Sequence, residues 1–215
     1  MFSYSTSIVV LVGGAQAKFT VHKSLLISRS SFFKKALTGN WVESNERVVR
    51  LIDDEAIIFQ NYVHPLYTDK IAVSPDPFDT KPGDIDCERL TLAKLYVLAE
   101  KLQDVETKNK VLSAMIGSCQ YQVGKKKQVL DANFVRTIYG GTMPGSKARR
   151  FTVDYFAQQS TGAPFKSGES GTGSAWPSEF TQELLVDVLD KRVAPNGASF
   201  SGNALPYMES SEPQH

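Results

Sequence analysis

The residues with the most versatile chemistry in this sequence are its three histidines and two cysteines. A zinc-type metal site needs three or four such ligands at short and regular spacing. His22, His64 and His215 are far apart and share no paired motif with a cysteine. The sequence therefore predicts no metal site and no cofactor.

Nucleophilic catalysis by a cysteine is the next chemistry to consider. Cys87 lies at the end of a loop-like segment, and Cys119 lies on the apolar side of a helical pattern that includes Met115. A buried cysteine usually packs as a small hydrophobic residue. The glycine pair before Lys18 does not form the G-x-x-x-x-G-K-[ST] loop that holds phosphates. We therefore predict no catalytic residues, and keep an enzyme of an unrecognised type only as a remaining alternative.

His22 lies in the stretch FTVHKSLLISRSSFF, residues 19–33. Alternation in KFTVHK predicts a strand, and the spacing of the apolar residues that follow predicts a helix. A histidine at such a junction can use its two ring nitrogens for backbone groups left unpaired at the helix start. We interpret His22 as a structural residue, together with the core residues Phe19, Phe32 and Phe33.

The composition is that of a globular protein. Of the 215 residues, 41% are hydrophobic and 22% are charged, which is typical of soluble domains. The longest aliphatic run, IVVLV at 8–12, is far shorter than the ~20 residues that a membrane-spanning helix needs. The N-terminus lacks a signal-peptide pattern, and two cysteines are too few for a disulfide scaffold. We therefore expect an intracellular protein, either cytoplasmic or nuclear.

Charge is distributed unevenly along the chain. Residues 1–119 hold 14 basic and 14 acidic residues, 120–150 hold seven and one, and 151–215 hold three and eight. Phosphate contacts need clustered lysine and arginine. One alternative is therefore a nucleic-acid-associated transcriptional regulator that uses the basic segment 125–150, and the other is a solvated face opposite the acidic tail. The candidate nucleic-acid contacts are Lys125, Lys126, Lys127, Lys147, Arg149 and Arg150.

The first part of the chain alternates between strand and helix patterns. SIVVLVGG and KFTVHK predict a β-hairpin over residues 7–22, with the glycine pair in its turn. Apolar residues at helical spacing then predict one amphipathic helix over 25–37. RVVRLID at 47–53 predicts a short strand, and Asp54 is expected to cap the helix that follows.

Pro65 lies inside that predicted helix and is expected to kink it or to end it early, because proline has no backbone N–H. The segment SPDPFDTKPGDID, residues 74–86, is rich in Pro, Asp and Gly and predicts an exposed loop. A clear helical pattern runs over 92–102. Asp104 is expected to cap the next helix.

The last part of the chain has shorter helical patterns. We predict helices over 129–139 and 146–159, and an amphipathic helix over 178–193 with Ser178 as its cap. The apolar stripe of this last helix needs a surface to bury against, either on the main domain or on a partner. The stripe consists of Phe180, Leu184, Leu185, Val188 and Leu189.

Six segments follow one another in a specific order and spacing: VVLVGG, FTVHKSLLISRSSFF, GNWVES, RVVRLID, YTDKI and LAKLYVLAEKL. Over about residues 7–117 they resemble the BTB/POZ domain, especially its fungal-type form. The resemblance implies an α+β fold in which a helical cluster is flanked by a small mixed sheet, here with a C-terminal helical extension. Asp69 stands where many relatives have a glycine in a tight turn, and aspartate tolerates the left-handed backbone.

The predicted organisation has five parts. They are a BTB/POZ domain at 7–119, a helical extension at 120–163, a Gly/Ser-rich linker at 164–177, the amphipathic helix at 178–193 and a disordered tail at 194–215. The sequence leaves open whether the helix at 178–193 docks on its own domain.

The resemblance also implies a function, that of a non-enzymatic module that binds other proteins. Some relatives bind cullin-3 with a hydrophobic-x-Glu motif after the first long helix, and a ubiquitin ligase adaptor is therefore the narrower hypothesis. Another BTB chain is an alternative partner, although a swapped homodimer usually needs more than the about seven residues that precede the first strand here. Trp41, Val42 and Glu43 match the motif, and we predict that they and Ser44 bind a partner. The alternative is that Trp41 packs on the core and Glu43 is solvated.

Overall fold

The computed structural model describes residues 6–38, 47–72, 82–119, 122–123, 126–127, 130–160, 165 and 176–191. The strands in these ranges are β1 Ser7–Val12, β2 Ala17–His22, β3 Val48–Leu51, β4 Gln122–Val123 and β5 Lys126–Lys127. The helices are α1 Lys23–Arg29, α2 Ser31–Thr38, α3 Ala56–Thr68, α4 Pro82–Lys101, α5 Val105–Ser118, α6 Ala132–Gly141, α7 Lys147–Gln159 and α8 Ser178–Lys191. The α+β fold class predicted from the sequence is confirmed.

The predicted hairpin is confirmed and forms two of the three strands of a mixed sheet. Strand β1 lies in the centre, antiparallel to β2 and parallel to β3. Its alternate residues Ile8, Val10 and Val12 are buried against the helices. The turn begins at Gly13, whose φ is 74°. A Cβ atom there would lie 3.2 Å from the carbonyl oxygen of Asp54, so both the backbone angle and the space favour glycine.

The single helix predicted over 25–37 is two helices, α1 and α2, which meet at Ser30. The backbone of Ser30 is extended, with φ −113° and ψ 118°. Its hydroxyl donates to the carbonyl oxygen of Leu102 at 2.6 Å and accepts from the backbone N–H of Phe33 at 3.1 Å. The prediction was wrong because the apolar spacing continues across the break, whereas a serine that caps α2 ends α1.

Helix α3 differs from its prediction at both ends. It begins after Glu55 with no side-chain cap, while the carboxylate of Asp54 pairs with Lys101 at 2.7 Å, so the predicted Asp54 cap was wrong. Pro65 does not end the helix early, because it lies in the last turn and removes only one backbone donor. The helix ends at Asp69, which has the expected left-handed backbone with φ 62°.

Helix α4 is the centre of the fold. It begins at Pro82, so residues 82–86 of the predicted loop are helical, while 73–81 lie outside the described residues. Proline suits the first position of a helix, where its missing N–H would have no partner. Buried residues on several sides, including Leu92, Leu95 and Tyr96, allow α4 to pack against α3, α5 and α6.

The helices after the central cluster belong to the same hydrophobic core. The predicted helices over 129–139 and 146–159 are confirmed as α6 and α7, within a few residues at each end. Phe134, Phe156 and Phe180 of α6, α7 and α8 lie in one continuous core cluster with Leu95. Among the helices that are described, none is both long and apolar enough to span a bilayer.

Candidate functional site

His22 joins the hairpin and α1 to the end of α3. Its Nδ1 lies 2.8 Å from the hydroxyl oxygen of Tyr67, which also accepts the backbone N–H of His22 at 3.1 Å. The hydroxyl can therefore accept from the backbone while it donates its proton to the ring. We expected the ring to satisfy backbone groups at the helix start, but as the residue before α1 His22 makes no side-chain cap. The contact holds the junction between β2 and α1 against the end of α3.

The three phenylalanines that we interpreted as core residues pack in the main cluster. Phe33 is fully buried, and Phe19 and Phe32 are partly buried against the core. The ring of Phe19 lies edge to face with Phe59 of α3, with centroids 5.1 Å apart. This contact fixes one face of β2 against α3.

A buried carboxylate, Asp104, organises the polar contacts between α1, α3 and α5. It caps α5 as predicted, since its Oδ1 accepts from the backbone N–H of Thr107 at 2.9 Å. Its Oδ2 also accepts from the hydroxyls of Thr107 at 2.8 Å and Tyr62 at 3.1 Å. Arg29 lies 3.7 Å away through Nε and donates to Thr107 through Nη2. Burial, and then Asp104, raise the pKa of Tyr62, which keeps its donor proton at any physiological pH.

Glu88 is a second buried carboxyl group, near the start of α4. It is 8% exposed, and its Oε2 has no hydrogen-bond partner among the residues that are described. Burial raises the pKa of Glu88 from 4.5 to about 7, and the charge of Arg89 opposes that rise. The folded chain therefore binds a proton more tightly than the unfolded chain. Stability contributed by this group is full below pH 4.5 and is lost as the pH rises to about 7.

Replacing Glu88 with glutamine is expected to raise the free energy of unfolding by ~2 kcal/mol at about pH 8 and to leave it nearly unchanged at about pH 4. The neutral amide keeps the shape of the side chain and removes the cost of burying a charge. Urea unfolding at both pH values measures the difference, and the exposed Asp190→Asn serves as the control. An equal gain at both pH values would show that ionisation of Glu88 is not the cause.

Arg149 is the main correction to the predicted nucleic-acid contacts. It is 4% exposed, and its guanidinium lies 4.5 Å above the ring of Tyr139. It donates to the carbonyl oxygens of Tyr139 and Thr142, to the Thr142 hydroxyl and to the carboxylate of Glu179. A guanidinium used in this way cannot reach a phosphate. The signal was in the sequence, because Arg149 shares a helix face with the buried Val153.

The described residues among the other predicted contacts lie in two elements, β5 and α7. Arg150 pairs with Asp154 through two bonds of 2.9 Å and with Asp187 at 2.9 Å. Lys147 is exposed at the start of α7. Lys126 and Lys127 form β5, and Lys125 lies outside the described residues. Two of the six predicted contacts are therefore committed to carboxylates of their own chain.

Helix α8 docks on its own chain, which decides the question that the sequence left open. Phe180 is completely buried and lies edge to face with Tyr139 and Phe156, at centroid distances of 5.5 and 5.1 Å. The hydroxyl of Tyr139 donates to Glu183 at 2.5 Å. Lys191, at the other end of α8, pairs with Asp154 of α7 at 2.7 Å. Both ends of the helix are therefore fixed to the extension.

Docking buries only part of the predicted apolar stripe of α8. Phe180 is buried and Leu184 is partly buried, while the rest of the stripe points to solvent. Four neighbouring side chains form what we call the α8 apolar face: Leu185 is 59% exposed, Val186 51%, Val188 42% and Leu189 47%. Single exposed apolar residues are common, but a contiguous group of large ones marks an interaction site.

The segment at 41–44, which we predicted to bind a partner, lies outside the described residues. In the sequence it lies between two described elements, α2, which ends at Thr38, and β3, which begins at Val48. Within the described part of the chain, no group of three or more His, Cys, Asp or Glu side chains could hold a metal ion.

Comparison with known proteins identifies the first part of this fold. The family model of the BTB/POZ domain matches residues 3–117, which is just over half of the chain. The match contains the mixed sheet, helices α1 to α4 and α5 up to its last residue but one. No curated protein matches the chain.

Proposed function

Because this chain belongs to the BTB/POZ family, whose domains are interaction modules, we propose that it is a non-enzymatic adaptor with two protein-binding surfaces. The BTB/POZ domain, at 7–119, provides the first surface. The extension from 120 onward, with its final helix at 178–193, provides the second. The observation that carries this proposal is the α8 apolar face. It is exposed although the helix is already docked on its own chain through the buried Phe180.

The architecture supports an adaptor because packed helices connect the two surfaces. Helix α6 packs directly on α4 of the BTB/POZ domain, and α8 packs on α6 and α7. Phe180 and the contacts of Arg149 hold α8 in place. A partner bound on α8 would therefore be held at a defined position relative to a partner bound on the domain.

We further propose that the partner of the domain is cullin-3, bound through the segment at 41–44. The support is the hydrophobic-x-Glu pattern of Trp41, Val42 and Glu43, in which Trp41 is the hydrophobic residue. Tryptophan is among the residues that most often dominate binding energy at interfaces.

The purified chain is expected to bind cullin-3 with micromolar or tighter affinity. Trp41→Ala is expected to weaken that binding at least about tenfold, because truncating a hot-spot residue costs about 2 kcal/mol or more of binding free energy. Isothermal titration calorimetry measures both, with the exposed Ile57→Ala on α3 as the matched control.

Absence of binding at tens of micromolar cullin-3 would remove the cullin-3 proposal. Light scattering across a concentration series would then test the other partner, a second BTB chain. A monomer that also fails to bind cullin-3 would contradict a binding role for the domain.

A further inference from the structure

A groove with an acidic edge runs beside the α8 apolar face. It is a cavity of about 550 Å³ between α7 and α8, and Val186 of the apolar face lines it. Four carboxylates on one side of α8 also line it, against two guanidinium groups from α7, Arg149 and Arg150. The lining therefore has a formal charge of −2. The four carboxylates are Glu179, Glu183, Asp187 and Asp190.

Two of these carboxylates carry a charge that no residue in the described part of the chain neutralises through an ion pair. Glu179 pairs with Arg149, and Asp187 pairs with Arg150 and Lys191. Glu183, by contrast, accepts from the neutral hydroxyl of Tyr139. Asp190 is exposed and has no ion pair with any residue that is described.

We propose that the α8 apolar face and this groove together bind an amphipathic helix of a partner protein, with an apolar side and a basic edge. The inference rests on the proposed adaptor function and names the ligand of its second surface. Leu185, Val188 and Leu189 recur at i, i+3 and i+4, the spacing with which one helix receives the apolar side of another. A lysine or arginine edge on the incoming helix would lie against Glu183 and Asp190.

Area and charge together select this occupant over a second copy of the chain. Four side chains that are each about half exposed provide on the order of a few hundred Å², whereas each side of a stable interface buries ~800 Å². A second copy would also bring the same unneutralised acidic edge. A single basic helix matches both the small apolar area and the charge.

The test uses the full chain and a synthetic helix of about 18 residues, long enough for five turns. The probe contains leucine on one side and lysine on the other, and a second probe has glutamate in place of lysine. We expect the lysine probe to bind with micromolar affinity in fluorescence anisotropy, and the glutamate probe to bind at least about tenfold more weakly. We expect the affinity for the lysine probe to fall as salt is added.

Two substitutions locate the site. The double variant Leu185→Glu with Leu189→Glu is expected to bind the lysine probe at least about tenfold more weakly, because it places charges in the α8 apolar face. Val105→Glu, at an equally exposed apolar residue on α5, should leave the affinity unchanged. Both substituted leucines are exposed, so circular dichroism should show an unchanged fold.

Each of three results would overturn the inference. Equal binding of the two probes would exclude a basic occupant, and unchanged binding by the double variant would place the probe elsewhere. A wild-type dimer that the double variant converts to a monomer would assign the face to a second copy. Cullin-3 titrations of the double variant separate this inference from the proposed function. The domain can bind cullin-3 while α8 does not bind the probe, and α8 can bind the probe while the domain does not bind cullin-3.

Discussion

Replacing Asp104 with alanine is expected to lower the free energy of unfolding by about 3–5 kcal/mol, as breaking a buried charged network does. The substitution removes the cap of α5 and leaves the hydroxyls of Tyr62 and Thr107 without their shared acceptor. It also removes the carboxylate that lies 3.7 Å from Nε of Arg29. Each buried donor left unpaired costs about 1–3 kcal/mol. Urea unfolding followed by circular dichroism measures the loss.

Glu106→Ala is the matched control, because Glu106 is a carboxylate that contacts the same arginine from an exposed position. Its Oε2 lies 3.1 Å from Nε of Arg29, and its side chain is 53% exposed. Exposed ion pairs contribute at most about 1 kcal/mol. If the two substitutions cost the same, burial of Asp104 is not what makes its network strong.

A double-mutant cycle with Tyr62→Phe identifies how much of the loss belongs to one contact. The tyrosine hydroxyl contacts Asp104 across 42 residues of sequence. We expect the two substitutions together to cost less than the sum of their separate effects, by about 1 kcal/mol or more, because they share a hydrogen bond. Additive losses would mean that the contact between the hydroxyl and Asp104 contributes nothing to stability.

The Asp104 network also shows what the sequence could predict. The cap itself was predictable, because the capping carboxylate and the backbone N–H that donates to it are three residues apart. The partner Tyr62 was not, since no local pattern relates a hydroxyl on α3 to a carboxylate before α5. The same distinction applies to Ser30, which ends α1 partly through the carbonyl of Leu102, 72 residues away.

Resemblance to a family extended the prediction where local patterns could not. It predicted a helical cluster flanked by a small mixed sheet over about residues 7–117, and the family match over 3–117 confirms that fold. It gave no information on the extension, where the helices were predicted from spacing alone. There the apolar stripe of α8 was found correctly, but spacing does not tell which half of a stripe faces its own chain.

The prediction for the basic segment failed in the opposite way. Composition suggested a basic surface, but the fold uses part of that charge for contacts within the chain. Counting lysine and arginine treats every charge as exposed, yet Arg149 is turned inward and Arg150 is paired with two carboxylates. A buried arginine is stable only where a dense set of acceptors surrounds it. Tyr139, Thr142 and Glu179 provide that set, and they come from two other elements of the extension.

Arg149→Ala is therefore expected to detach α8 rather than to weaken binding of a nucleic acid. Loss of the guanidinium leaves two carbonyl oxygens and Glu179 without their donor, and the expected destabilisation of the extension is about 3–5 kcal/mol. Amide hydrogen exchange is the direct measurement, because it reports the loss of protection in α8 separately from α4.

Arg150→Ala provides the control, since it removes the same charge from the next position of α7. The Arg150 side chain is 57% exposed and pairs with Asp154 and with the buried Asp187 of α8. Lys191 pairs with the same two carboxylates, so protection in α8 should change less than with Arg149→Ala. Greater loss of protection from Arg150→Ala than from Arg149→Ala would reverse the roles that we assign. The expected order would instead tie the position of the second binding surface to one buried cation, because Arg149 holds Glu179, and with it the start of α8, against α7.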